Sequence, residues 1–170
     1  MAKWLTNDEQ QVWRSFVAMT GLLWESLDRQ LQSEAGMPQS YYLILAMLSE
    51  APDRRLRMSE LAVVVNSSQS RLSHAAARLE EYGWISRVPA PDDGRGSVAI
   101  LTDAGYDVLV GTAPGHVAQV RSALFDPLSK EQVAELGRIC RQVLHALDPE
   151  MTSPLQGGFV RARDKPTSAC

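Results

Sequence analysis

The sequence predicts a mainly α-helical chain carrying one short β-hairpin, and three observations lead to that class. Apolar residues recur at three- and four-residue steps over long stretches near both ends of the chain. Near the middle, two shorter helical stretches flank the polar break Asn66-Ser67-Ser68. Directly after them, two β-prone stretches enclose the turn-forming PDDGRG.

Thr6-Asn7-Asp8-Glu9 reads as a capping box. Behind it, Trp13, Phe16, Val17, Leu23, Trp24, Leu27 and Leu31 lie on one face of a helix that Gly36 ends. Pro38 suits the first turn of a second helix, which stops before Pro52. The basic link Asp53-Arg54-Arg55-Leu56-Arg57 follows. Ser59 is expected to cap a short helix from Glu60 to Val65. A further helix runs from about Gln69 to Tyr82, and Gly83 fits its left-handed exit. Residues 84–90 and 97–101 form the hairpin. Thr102 caps the next helix, where Pro114-Gly115 predicts a kink or a split. Ser129 and Gln132 box the last helix, with Leu128 placed to staple onto Val133. After Pro149 the mixture of Pro, Gly, Ser and isolated charges predicts a disordered tail. Helix, break, helix and a hairpin with a basic tip is the order of a winged helix-turn-helix.

With 170 residues the chain can bury a real core, and 45% hydrophobic with 22% charged residues is ordinary for a globular protein. No apolar run approaches the ~18 residues that suggest a membrane span. The opening MAKWLTNDEQ lacks the layout of a secretory signal, so the expected location is cytoplasmic. The net charge is −3, but its distribution is uneven. Residues 1–53 sum to −4, residues 54–95 to +2 and residues 96–170 to −1, and all seven bases of the middle segment are arginine. A basic block between acidic flanks fits a module that faces nucleic acid. Cys140, on an apolar stripe, reads as a small buried hydrophobe, and Cys170 as an exposed thiol.

The helix after the break carries the chemistry. Leu72, Ala75, Ala76 and Leu79 share one face, while Gln69, Ser70, Ser73, His74 and Ala77 share the other, flanked by Arg71 and Arg78. A small outer face rich in hydrogen-bonding groups fits the DNA major groove, where a bulky or acidic face does not. Its N-terminus, from Ser68, can offer backbone N–H groups to a phosphate. Arg95, raised between Gly94 and Gly96, suits the adjacent minor groove, whose negative potential attracts arginine. Asp93 stands two residues away and can orient the guanidinium.

These residues resemble the MarR family of transcriptional regulators. Asp93-x-Arg95-Gly96 followed by Leu101-Thr102-x-x-Gly105 is similar to the family's wing signature. Leu56-Arg57-Met58-Ser59-Glu60-Leu61-Ala62 resembles its first motif helix. Arg71-Leu72, Arg78-Leu79-Glu80 and Gly83-Trp84-Ile85 resemble its recognition helix and exit. The likeness covers about residues 5–148 in order. It departs at Ala99, where the family usually has a larger apolar residue, so alternation leaves the buried face of that strand open. The N-terminal cysteine of the peroxide-sensing branch is absent.

The resemblance implies a homodimer on a pseudo-palindromic operator, with half-sites about one helical turn (~10 bp) apart. Residues 1–37 and 103–149 would supply a dimerisation layer and residues 38–102 the DNA-binding region, with 150–170 a tail. Arg54 or Arg55, Arg71 and Arg78 would contact phosphate, and Ser68, Gln69, Ser70, Ser73 and His74 would face the groove. It further implies repression relieved by a small aromatic or amphipathic effector, for which Trp24, Tyr41, Tyr42, Met47 and His116 are candidate contacts. The chain has no G-x-S-x-G, H-E-x-x-H, P-loop or Rossmann glycine pattern, and His74, His116 and His145 are not grouped with acids. No enzyme, cofactor or metal is therefore expected. The rival reading is a winged helix that binds proteins without specific DNA contact.

Overall fold

Thr6 and Glu9 start the first helix as the sequence predicts. The Thr6 hydroxyl accepts from the Glu9 N–H at 3.2 Å, and the Glu9 carboxylate accepts from the Thr6 N–H at 2.7 Å. Helix α1 (Asn7–Ala35) ends at Gly36, whose φ of 62° is left-handed. The computed structural model describes residues 4–90 and 93–148, the side chains of 93–95 excepted. The predicted tail and Cys170 lie outside the described residues.

Helix α2 (Gln39–Glu50) takes Pro38 as its N-cap rather than in its first turn. Its first N–H is satisfied from α1, where Asp28 accepts from the Gln39 N–H at 2.8 Å. The turn Pro52–Arg54 leads into strand β1 (Arg55–Arg57). The basic link is thus a strand. Three residues are too few to show alternation, and the partner lies far along the chain, with Arg55 opposite Ile100 and Arg57 opposite Val98. Helix α3 (Met58–Val64) starts before the predicted Ser59 cap, because the Glu60 carboxylate accepts from the Arg57 N–H at 3.1 Å. Helix α4 (Gln69–Glu81) is capped by Ser68, and the chain leaves it through Gly83 at φ 72°.

Strands β2 (Ile85–Ala90) and β3 (Asp93–Leu101) form the hairpin, and the antiparallel sheet has the order β1-β3-β2. The register shows which face of β3 packs on the core cluster; Val98, on the other face, is buried outside that cluster. Ala99 stands between Leu56 and Arg87, and Leu101 opposite Ile85. Residues opposite each other share a face, so Ile85, Ala99 and Leu101, all below 5% exposed, form the core side. The core continues through Leu31, Ile44, Leu45, Leu48, Leu61, Leu72 and Leu79. It therefore sits under the helix-turn-helix and its sheet.

Helix α5 (Asp103–Val120) is joined tightly to the hairpin. The Thr102 hydroxyl accepts from the Gly105 N–H at 3.0 Å and donates to the Gly83 carbonyl at 2.7 Å. A Cβ on Gly105 would run into the Trp84 carbonyl, so this position admits no side chain. The predicted split at Pro114-Gly115 does not occur, and α5 continues through both residues. Gly115 instead lets α5 approach α1, with the Glu34 and Gln30 side chains lying over it. The departure from α geometry comes later, at Arg121–Phe125, where Asp126 N–H bonds to the Arg121 carbonyl five residues back.

Helix α6 (Lys130–Leu147) has the predicted Ser129–Gln132 box, at 2.8 and 3.3 Å. Among the described residues, none of α6 is buried. Cys140 is accordingly exposed, against the expectation of a buried hydrophobe, because α6 packs its stripe on little of its own chain. Among the described residues, no helix is long and apolar enough to cross a membrane.

Candidate nucleic-acid interface

The amphipathic split of α4 carries the candidate site. Leu72, Ala76 and Leu79 are 1%, 0% and 0% exposed and anchor the helix to the core. Ser68, Gln69, Ser70, Arg71, Ser73, His74 and Arg78 are exposed, while Ala77 is half-buried. The Ser68 hydroxyl also caps the helix, accepting from the Arg71 N–H at 3.3 Å. The geometry thus leaves every polar and charged residue predicted for this face exposed on one element, with Ala77 half-buried.

The arginines divide by what already holds them. Among the described residues, the exposed Arg71 and Arg55 make no ion pair. Arg78 pairs with Glu81 at 2.6 Å and lies 5.8 Å over the Tyr82 ring. The Glu81 charge pushes the Arg78 pKa up, with Tyr82 adding to it, so the guanidinium stays charged. Arg54 is turned inward: it pairs with Asp103 at 3.1 Å and stacks 3.9 Å over the Tyr106 ring. It ties the start of β1 to the first turn of α5, whereas Arg55 stands exposed. Asp93 and Arg95 have their backbone on β3, but their side chains lie outside the described residues.

Sequence reasoning missed Arg87. Its parity with Ile85 places it on the core side of β2, where a charge needs a partner. Glu80 is that partner. One carboxylate oxygen accepts from the Arg87 backbone N–H at 2.9 Å, and the other from Nε at 3.0 Å and Nη2 at 2.7 Å. Those hydrogen bonds to Arg87 hold the Glu80 carboxyl below the usual carboxylate range. β2 shows no clear alternation of burial, so the sequence carried no signal for this pair.

The five effector candidates do not form one pocket. Tyr42 and His116 meet, with ring centroids 4.3 Å apart. His116 Nδ1 is buried without a hydrogen-bond partner among the described residues, as is Gln30 Oε1. Burial pushes the His116 pKa down and the Tyr42 pKa up, the latter helped by the charge of Glu50. Met47 belongs to the core, Trp24 is 57% exposed on α1, and Tyr41 packs against the core from α2. A separate apolar groove of about 750 Å³ runs between α1 and the start of α6, lined by Met19, Leu22, Leu23, Leu124, Leu136 and Ile139 among others.

A helix pair with an open polar face, followed by a hairpin clamped to the second helix, defines a winged helix-turn-helix. The comparisons with known proteins agree. A MarR family model matches residues 35–96. Sco3205 of Streptomyces coelicolor, a MarR family transcriptional regulator solved in complex with DNA, is 55% identical over 88% of this chain and 93% of its own, with a TM-score of 0.83. AbsC, a MarR family transcriptional regulator of the same organism, is 36% identical over 87% of this chain and 99% of its own, with a TM-score of 0.80. The HTH-type transcriptional regulator PecS of Dickeya dadantii is 32% identical over 48% of each chain. The HTH-type transcriptional repressor YetL of Bacillus subtilis is 30% identical over 57% of this chain and 58% of its own. The chain thus spans about half the length of these two curated relatives. The protein belongs to the MarR family.

Proposed function

We propose that this protein is a transcriptional repressor that reads a pseudo-palindromic DNA operator as a homodimer. The observation that carries this reading is the outer face of α4. Gln69, Ser70, Ser73 and His74 stand open beside Arg71, which has no ion-pair partner among the described residues. An unpaired guanidinium beside small polar groups suits phosphate and base-edge contact together. That Sco3205 was solved with DNA supports the same reading, and the repressor sense is supported by the name of YetL. Residues 38–102 form the DNA-binding region. Residues 1–37 and 103–149 form the dimer layer, supported by the exposed Trp13, Phe16 and Leu22 on α1 and Ile139 and Val143 on α6.

A small aromatic effector would act where Tyr42 meets His116, whose buried Nδ1 lacks a partner among the described residues. A ligand bound there sits against α1, α2 and α5 together and shifts the separation of the two recognition helices.

The test compares Gln69→Ala and Arg71→Ala in DNA titrations. Gln69→Ala relaxes preference at one base position, costing about 1–3 kcal/mol there. Arg71→Ala weakens all duplexes similarly and reduces the salt slope by about 1. Unchanged binding by both variants contradicts the reading and favours a protein-contact module.

A further inference from the structure

We propose that Glu80 is a positioning residue for DNA reading, fixing the hairpin β2–β3 to α4 through Arg87 so that helix and wing meet DNA as one rigid unit. The inference rests on the DNA-reading function proposed above.

Glu80 lies in the last turn of α4 and Arg87 on β2, with the Gly83 turn between them. The carboxylate uses both oxygens. One takes the strand's own N–H at 2.9 Å, which fixes the backbone of β2. The other takes two nitrogens of the guanidinium fork, which fixes its plane. A planar fork held at two nitrogens admits little rotation, unlike a point contact. Ala99 stands opposite Arg87 across the ladder, and its single methyl leaves the arginine stem room to turn toward α4. The neighbouring Glu81 is engaged separately with Arg78, so the two acids at the end of α4 hold different partners.

The arrangement has an electrostatic consequence. Arg87 lies beside the reading elements, and its charge is matched by Glu80 instead of being offered to phosphate. The pair therefore withholds a non-specific contact while it fixes the spacing between the base-facing helix and the wing. Loss of Glu80 acts on these two effects in opposite directions. Fixed geometry, and with it sequence preference, falls. A cation is released beside the DNA, and affinity for any duplex rises.

The experiment titrates two duplexes by fluorescence anisotropy at several salt concentrations. One duplex is enriched by the wild-type protein from a random-sequence pool, and the other is a scramble of the same composition. Glu80→Gln is expected to reduce the preference for the enriched duplex about tenfold or more. Binding to the scramble should strengthen, with a salt slope steeper by about 1. Arg87→Lys keeps a charge and a stem but not the fork. It is expected to lose preference likewise, and serves as the reporter should Glu80→Gln not fold. The pair Glu80→Gln with Arg87→Gln is expected to be no worse in preference than either single change, since both remove one interaction. Unchanged preference overturns the inference. So does parallel weakening on both duplexes, the mark of a loosened fold. Failure of the wild type to enrich any duplex overturns the DNA-reading function itself, before any variant is made.

Discussion

Arg54 and Arg71 look alike in the sequence, yet the structure gives them opposite surroundings. Arg54 is stacked on Tyr106 and paired with Asp103, whereas Arg71 is exposed. Arg54→Ala should therefore destabilise the fold by about 0.5–1.5 kcal/mol. Arg71→Ala should leave urea unfolding within about 0.5 kcal/mol of the parent while weakening DNA binding. His116 adds a pH dependence. Burial lowers its pKa, so the unfolded chain takes up a proton at a higher pH than the folded one. Its contribution to stability is complete above the ordinary histidine range and is lost as pH falls below about 6.5. Urea midpoints at pH 7.5 and 6.0 should drop more for the parent than for His116→Leu. Equal drops would contradict the assignment. The caps at Thr6, Thr102 and Ser129 were legible in the sequence because their partners lie three residues away. The Arg54 contacts were not, since Asp103 lies 49 positions further on.

Among the elements, the long helices were legible because periodicity accumulates over many turns. The strand β1 was not, because its identity is conferred by β3. At Pro114-Gly115 the alternative of a split fails for a related reason. Proline and glycine are local punctuation, but here the pair lies where α1 crosses α5, and tertiary packing keeps the helix continuous. Two glycines of α5 separate packing from punctuation. Gly105→Ala would place a methyl against the Trp84 backbone, which cannot withdraw, and should cost about 1–3 kcal/mol. Gly115→Ala would meet the ends of the Glu34 and Gln30 side chains, which can swing away. The gain in helix propensity, up to about 1 kcal/mol, offsets that contact. Thermal unfolding of the two variants should show a clear loss for the first and little change for the second.

At the scale of the whole molecule, the core and the open apolar surface are segregated. The core lies under the helix-turn-helix, while Trp13 and Phe16, stacked at 6.3 Å, stand 55% and 53% exposed on α1. The apolar stripe of α1 that holds Trp13, Phe16 and Trp24 was legible in the sequence. That it does not fill the monomer core was not, because periodicity shows that a stripe exists and not what it meets. An isologous interface would cover such faces on both copies. Trp13→Glu with Phe16→Glu should convert a dimer to monomers in sedimentation and weaken operator binding with it. A parent that sediments as a monomer would contradict the dimer layer.

The central claim, that the open face of α4 reads DNA, is tested most directly by fluorescence anisotropy. The purified protein is titrated against its own upstream intergenic DNA and a scrambled duplex, at about 50 mM and about 200 mM salt. The account predicts tighter binding to the upstream DNA, falling steeply with salt, and loss of that binding in Arg71→Ala. No binding to either duplex at the lower salt would contradict it.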